Sequence, residues 1–173
     1  MCSSDLVPLF NLSHGKSTTP PLAKIDTPAG TTSVRLEYRA TGHGGANDTT
    51  SGECIGPAEE FCARTHHLYA DNAELQPGLA PWREDCQTLC TRTMGPRPTG
   101  TGMFTYCKEN PCGAISSVEA PRANWCPGSL TPPLTWDPAA LKTPGPHDFT
   151  YRIDNVADGG SWRLSATFFA YAD

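Results

Sequence analysis

Proline and glycine leave this chain little room for helix. It carries 17 prolines and 16 glycines in 173 residues, spread so evenly that no apolar run with a 3.6-residue period survives between them. What survives is alternation with a period of two. Val34, Leu36, Tyr38 and Ala40 face one way, and Arg35, Glu37 and Arg39 the other. Phe149, Tyr151 and Ile153 alternate with Thr150, Arg152 and Asp154. Trp162, Leu164, Ala166, Phe168 and Ala170 oppose Arg163, Ser165, Thr167 and Phe169. Half-buried antiparallel strands with long loops follow, and with 38% apolar residues they supply one core and one domain. The expected fold is therefore an all-β sandwich or barrel. The turn Asp158-Gly-Gly160 predicts that the last two runs pair as a hairpin. Further strands are expected over 63–70 and 100–106, and an edge strand over 130–136, whose prolines exclude a central position. The stretch 7–28 is expected to be an irregular arm.

Eight cysteines are many for this length. None stands in a C-x2-C pair of the zinc-ribbon kind; the nearest spacings are Cys86-x3-Cys90 and Cys107-x4-Cys112. A disulfide-stapled domain of a secreted or periplasmic protein is the expectation. The first residues, M-C-S-S-D-L-V-P, have neither the basic start nor the apolar stretch of an export signal, which fits a piece of a larger exported protein. Residues 1–6 read as a non-native leader, since C-S-S-D-L resembles translated adapter DNA; the domain is expected over 7–173, and Cys2 is given no structural role. A net charge of −5 with no basic stripe argues against nucleic acid, and no apolar run is long enough to span a bilayer.

The densest chemistry lies between Glu53 and His67. Cys54 and Cys62 bracket Gly56, Pro57 and the acidic pair Glu59 and Glu60. If these cysteines pair, the turn becomes a stapled loop holding carboxylates at the mouth of a strand, the rigid placement that acid–base chemistry needs; the plainer alternative is two solvated charges on a structural loop. His43 sits among glycines at a strand end, either a site residue or a solvent histidine. His66 and His67 are adjacent on a strand and must point to opposite faces. That leaves no i, i+2 histidine pair for copper or zinc, although Met94 and Met103 could offer soft axial ligands; no metal or other cofactor is expected. In the tract 121–128, Arg122 and Trp125 pair a planar cation with an aromatic platform, suited to sugar or carboxylate recognition or simply to packing.

The order of these motifs carries a resemblance. V-P near the start, R-L-E-Y-R-A-T-G-H over 35–43, A-E-E-F-C over 58–62 followed by A-R-T-H, C-x-x-N-P from Cys107, R-A-N-W-C-P-G over 122–128 and F-T-Y-R from Phe149 together resemble the C-terminal domain family of the peptide-N-glycosidase F amidases. The resemblance runs from about Val7 to the end. It implies an antiparallel jelly-roll-like sandwich of about eight strands, in a two-domain architecture shared with the peptidylglycine and dopamine copper monooxygenases. It implies hydrolysis of the amide between asparagine and the first N-acetylglucosamine of N-linked glycoproteins, without a metal, in a cleft between two sandwich domains. The lead carboxylate would lie on an N-terminal partner domain, so this domain alone is expected to be inactive. Glu60 matches the family's supporting glutamate, with Glu59 beside it as a further substrate contact. Arg122 would fix Glu60 or stabilise oxygen charge, Trp125 would stack on a sugar, and His43 would donate at the cleft rim. The resemblance pairs Cys54 with Cys62 and Cys107 with Cys126, leaving Cys86, Cys90 and Cys112 for one extra bridge and one free thiol. One departure stands out: Thr41 occupies a position that is tryptophan in the family. A non-catalytic carbohydrate-binding or adhesive module is the alternative function.

Overall fold

The computed structural model describes residues 3–45, 53–97 and 99–172. In chain order the strands are β1 (Ser3–Gly15), β2 (Ala23–Thr27), β3 (Ser33–His43), β4 (His66–Ala70), β5 (Ala73–Glu74), β6 (Arg92–Pro96), β7 (Met103–Cys107), β8 (Leu134–Trp136), β9 (Gly145–Ile153) and β10 (Ser161–Ala172). Helix is confined to α1 (Cys86–Leu89), α2 (Ile115–Glu119) and single 3-10 turns at Glu59–Phe61 and Ala139–Lys142. Two antiparallel four-stranded sheets, in the orders β1-β10-β3-β8 and β2-β9-β4-β5, face each other, and β6 and β7 form a separate hairpin. The all-β sandwich expected from alternation is thus present, with eight strands in its two layers. Among the described residues no helix is long and apolar enough to cross a membrane.

The core lies between the layers and is built from the alternating residues. Leu36, Tyr38 and Ala40 of β3 and Trp162, Leu164, Ala166 and Phe168 of β10 meet Leu68, Phe149 and Tyr151 of the second sheet, all essentially without solvent exposure. Burial of such side chains contributes about 1.5–3 kcal/mol each, and β3 and β10 lie side by side at the centre of their sheet in continuous register.

Three sequence expectations are corrected here. The last two long strands do not pair. β9 belongs to the second sheet and β10 to the first, and residues 154–160 carry the chain across the core. Both strands bury their apolar face, so placing them in opposite layers lets Phe149, Tyr151 and Ile153 pack against the face of β10 rather than beside it. The supposed irregular arm is β1 and β2. β1 pairs with β10 over its whole length, residues 3–6 included, with a register shift between Pro8 and Phe10. That bulge moves the apolar set from Val7 to Phe10 and Leu12, which breaks the simple alternation.

The third correction concerns the staples. Cys54 pairs with Cys62 as expected, but Cys107 pairs with Cys90, and Cys126 with Cys86. The β6–β7 register sets Arg92 opposite Cys107 and so returns Cys107 to the neighbourhood of Cys90. Arg83 and Arg122 exchange backbone hydrogen bonds of 2.9 and 3.0 Å, which draws the tract around Cys126 alongside Cys86. Cys112 is the free, exposed thiol among the described residues, and Cys2 lies outside them.

Candidate active site

Three segments converge at one end of the sandwich: the last residues of β3, the loop stapled by Cys54–Cys62, and residues 122–126. Backbone hydrogen bonds tie them into one unit. Gly42 N donates to Ala123 O (3.1 Å), Ala123 N to Glu60 O (2.8 Å), and Glu59 N to Gly44 O (2.9 Å). Side chains add Asn124 Nδ2 to Ala40 O (3.0 Å) and Trp125 Nε1 to Gly42 O (2.9 Å). Gly42 is needed for this approach, because a Cβ there would lie 2.6 Å from the Ala123 Cβ.

The two adjacent glutamates point apart from the 3-10 turn and do different work. The Glu59 carboxylate is fully enclosed, with 0% exposure. It accepts from Arg64 Nε (3.0 Å) and Nη2 (3.1 Å), Trp162 Nε1 (2.8 Å) and the Ala157 backbone N–H (3.2 Å). Arg64, itself 1% exposed, extends the chain to Glu53 at 2.9 Å. Glu59 is therefore sealed beneath the site, whereas the resemblance implied a further substrate contact for it. Its work is to weld the stapled loop to β10. Glu60 remains one-quarter exposed and faces Arg122 Nη1 at 3.4 Å.

Arg122 holds the centre although it is 2% exposed. Its guanidinium lies over the rings of Phe61 (4.9 Å) and Trp125 (4.6 Å), a double cation–π contact. Nη2 donates to the Ser117 carbonyl, while Nε has no hydrogen-bond partner. Burial lowers the Arg122 pKa from its ordinary value and Glu60 opposes that shift. Trp125 in turn lies 5.1 Å from the half-buried His43 ring, whose Nε2 bonds the Thr41 hydroxyl at 2.8 Å. Burial first, then the charges of Arg163 and Arg122, lower the His43 pKa, so its imidazole is neutral at pH 7. Glu60, Arg122, Trp125 and His43 thus form one continuous line of contacts, bringing together four of the five expected site residues.

The two strand histidines separate as period-two geometry requires. His66 points into the core, bonding the Tyr38 hydroxyl at 2.7 Å and meeting Trp162 edge-on at 4.4 Å. Burial, with His14 and His67 adding to it, pushes its pKa down to about 3. His67 points outward to Glu74 (2.6 Å) and Asp154 (2.9 Å), hydrogen bonds that raise its pKa. Met94 and Met103 stand exposed on the β6–β7 hairpin. The cluster Cys90, Cys107 and Glu119 has metal-like spacing, but its two sulfurs are joined to each other and offer no thiolate. The contacts that sequence reasoning missed are Phe61, Arg64, Ser117 and Trp162. Only Phe61 and Arg64 had a signal, through their closeness to Glu60 in the chain.

Fold and site together define an antiparallel β-sandwich of jelly-roll kind with a polar, aromatic patch at one end. The family model described as peptide-N-glycosidase F, C-terminal, matches residues 13–169, and the chain belongs to that family. Solved structures share the fold. One is PNGase F, described as a glycosylasparaginase from Flavobacterium meningosepticum, at a TM-score of 0.63 and 20% identity over 98% of this chain and 52% of that one. Another, a peptide-N(4)-(N-acetyl-β-D-glucosaminyl)asparagine amidase, gives 0.62 and 21% over 98% and 52%. PNGF-II gives 0.61 and 20% over 97% and 30%. The chain therefore spans about half the length of these proteins, or less. No curated protein matches it in sequence.

Proposed function

We propose that this domain forms one wall of a glycan-releasing amidase cleft, in an exported protein whose N-terminal sandwich domain supplies the lead carboxylate. The reaction is hydrolysis of the amide between an asparagine side chain and N-acetylglucosamine in N-linked glycoproteins. The observation that carries this reading is the line Glu60–Arg122–Trp125–His43, whose members come from three segments. Glu60 keeps enough exposure to orient a water or an N-acetyl group. Arg122 is too enclosed to meet substrate broadly and acts as the positioning residue for Glu60 and Trp125. Trp125 offers a ring face to a sugar, and neutral His43 donates or accepts one hydrogen bond at the rim. Three disulfides support an oxidising, extracytoplasmic location.

A second reading, a sugar-binding module without chemistry, is favoured by Thr41, which leaves no aromatic face on β3 next to His43. Glycan release from a denatured N-glycoprotein separates the two. The 173-residue chain alone should release none, while the chain joined behind the N-terminal half of a family enzyme should release glycan. Release by the chain alone would refute the division of labour. Sugar binding without release by the joined protein would favour the second reading.

A further inference from the structure

The outer face of the first sheet continues the candidate site into a basic hollow that the glycan-cleft reading does not use. Odd-numbered residues of β3 point outward there, so His43, Thr41, Arg39, Glu37 and Arg35 form one column. The register sets Arg163 of β10 beside Thr41, and Ser165 between Arg39 and Asn11 of β1. Over these rungs lies a hollow of about 200 Å³, to which Thr131 adds a hydroxyl from the loop ahead of β8. It is smaller than the roughly 300–1,000 Å³ of drug-sized sites, a size that suits one sugar unit.

Its charge is the opposite of the molecule's. The chain carries −5 overall, yet no carboxylate lines the hollow. Glu37 pairs with Arg35 (3.1 Å) and with Arg39 (3.5 Å), and so offsets one of these two cations. Arg163 is exposed and makes no ion pair among the described residues, and it is close enough to His43 to lower that residue's pKa. Two guanidiniums flank a mainly apolar floor, with Leu164 in its lining, on which Asn11, Thr41, Thr131 and Ser165 set hydroxyl and amide groups. Guanidinium matches a carboxylate through paired, charge-assisted hydrogen bonds, and Asn11, Thr41, Thr131 and Ser165 can both donate to and accept from sugar hydroxyls.

We propose that the hollow between Arg39 and Arg163 is a second subsite, contiguous with His43 and Trp125, for a carboxylate-bearing sugar of the glycan. A neutral floor that mixes apolar surface with hydroxyl and amide groups favours an acidic sugar, whose ring presents both C–H faces and hydroxyls, over an acidic peptide side chain. Its role as a glycan subsite rests on the cleft reading above; the binding of an anionic sugar does not.

Backbone-amide NMR titration of the full chain tests both separately. The probes are an N-glycan ending in N-acetylneuraminic acid, the same glycan without it, and a short Asp/Glu-rich peptide. The acidic glycan should shift the Thr41 and Ser165 amides and bind about 10-fold more tightly than the neutral one, the scale of one charge-assisted contact. Arg163→Gln, and independently Arg39→Gln, should abolish that increment and leave neutral-glycan binding unchanged. Equal affinity for both glycans, or an increment that survives both substitutions, would overturn the subsite. Equal binding of the peptide would overturn its assignment to a sugar. An increment at Thr41 and Ser165, together with no glycan release by the joined protein described above, would support the subsite while removing the cleft reading.

Discussion

At the scale of single residues, the decisive contrast is between Glu59 and Glu60, neighbours with the same side chain. Glu59 has four hydrogen-bond donors and no exposure. Replacing it with alanine takes the buried carboxylate shared by Arg64 and Trp162 out of their contacts, a loss of about 3–5 kcal/mol. Glu60 faces Arg122 across 3.4 Å at a partly open surface, so Glu60→Gln should change stability by less than about 1 kcal/mol. Urea unfolding of the two variants checks this, and equal losses would refute the division between structural and site carboxylate. The sequence could not separate the pair. It marked a stapled loop with two carboxylates, but which one faces inward depends on where the 3-10 turn sits over β10. The family resemblance selected Glu60 without any knowledge of the Arg64 contact that removes Glu59.

At the scale of elements, the site depends on the close crossing of β3 and residues 122–126. An alanine at Gly42 would bring its Cβ against Ala123 at 2.6 Å and against the Trp162 ring at 3.2 Å. Gly42→Ala should therefore cost about 1–3 kcal/mol, the usual range for overpacking. Adding Ala123→Gly should restore part of that loss, measured by thermal unfolding of the double variant; no recovery would mean that the Glu59 carbonyl (3.1 Å) and the Trp162 ring, rather than Ala123, set the limit. The staples act on separate elements. Removing Cys90–Cys107, whose partners are 17 residues apart, should cost about 3 kcal/mol by loop entropy. Limited proteolysis should then cut the β6–β7 hairpin before the sandwich. Strands with clean alternation, β3 and β10, were legible from the sequence because both bury one face completely. β1 was not, since its bulge at Pro8 shifts the apolar phase midway. The layer assignment of β9 and β10 was also hidden. A Gly-Gly turn between two amphipathic runs fits a hairpin locally, and only the shared core shows that the runs face each other.

At the scale of the whole molecule, histidines set how stability varies with pH. His14, His43 and His66 have pKa values lowered chiefly by burial, His66 to about 3. Below pH 6.5 the unfolded chain binds protons that these folded histidines refuse, so stability should fall as the pH drops from 6.5 toward 3. His67 and His147 have raised values, opposed by burial and driven by hydrogen bonds to Asp154 and Glu74 and to Asp71. Their contribution is fully present below pH 6.5 and is lost as pH rises through their folded values. Stability should therefore peak near neutrality. Urea midpoints across pH 4.5–8.5 check this, and His66→Phe should flatten the acid limb while leaving the alkaline limb as it was. An acid limb unchanged by that substitution would assign it to carboxylates instead. The fold class was legible at this scale from alternation, whereas the grouping of His43, Glu60, Arg122 and Trp125 came only from the family resemblance, because linear order does not show which loops meet at one end. The staple pairing was not, since eight cysteines allow about 105 arrangements and only the tertiary path sets Cys86 beside Cys126.

If the proposed function holds, Glu60 serves chemistry in a shared cleft while Arg122 and Glu59 hold it there. Turnover of a glycopeptide by this domain joined behind a family N-terminal domain tests it most directly, comparing the native residue with Glu60→Gln. The expected result is a fall in kcat of about 100-fold, the low end for a positioned acid–base group, with the unfolding midpoint unchanged. An unchanged kcat in a folded, active protein would contradict it.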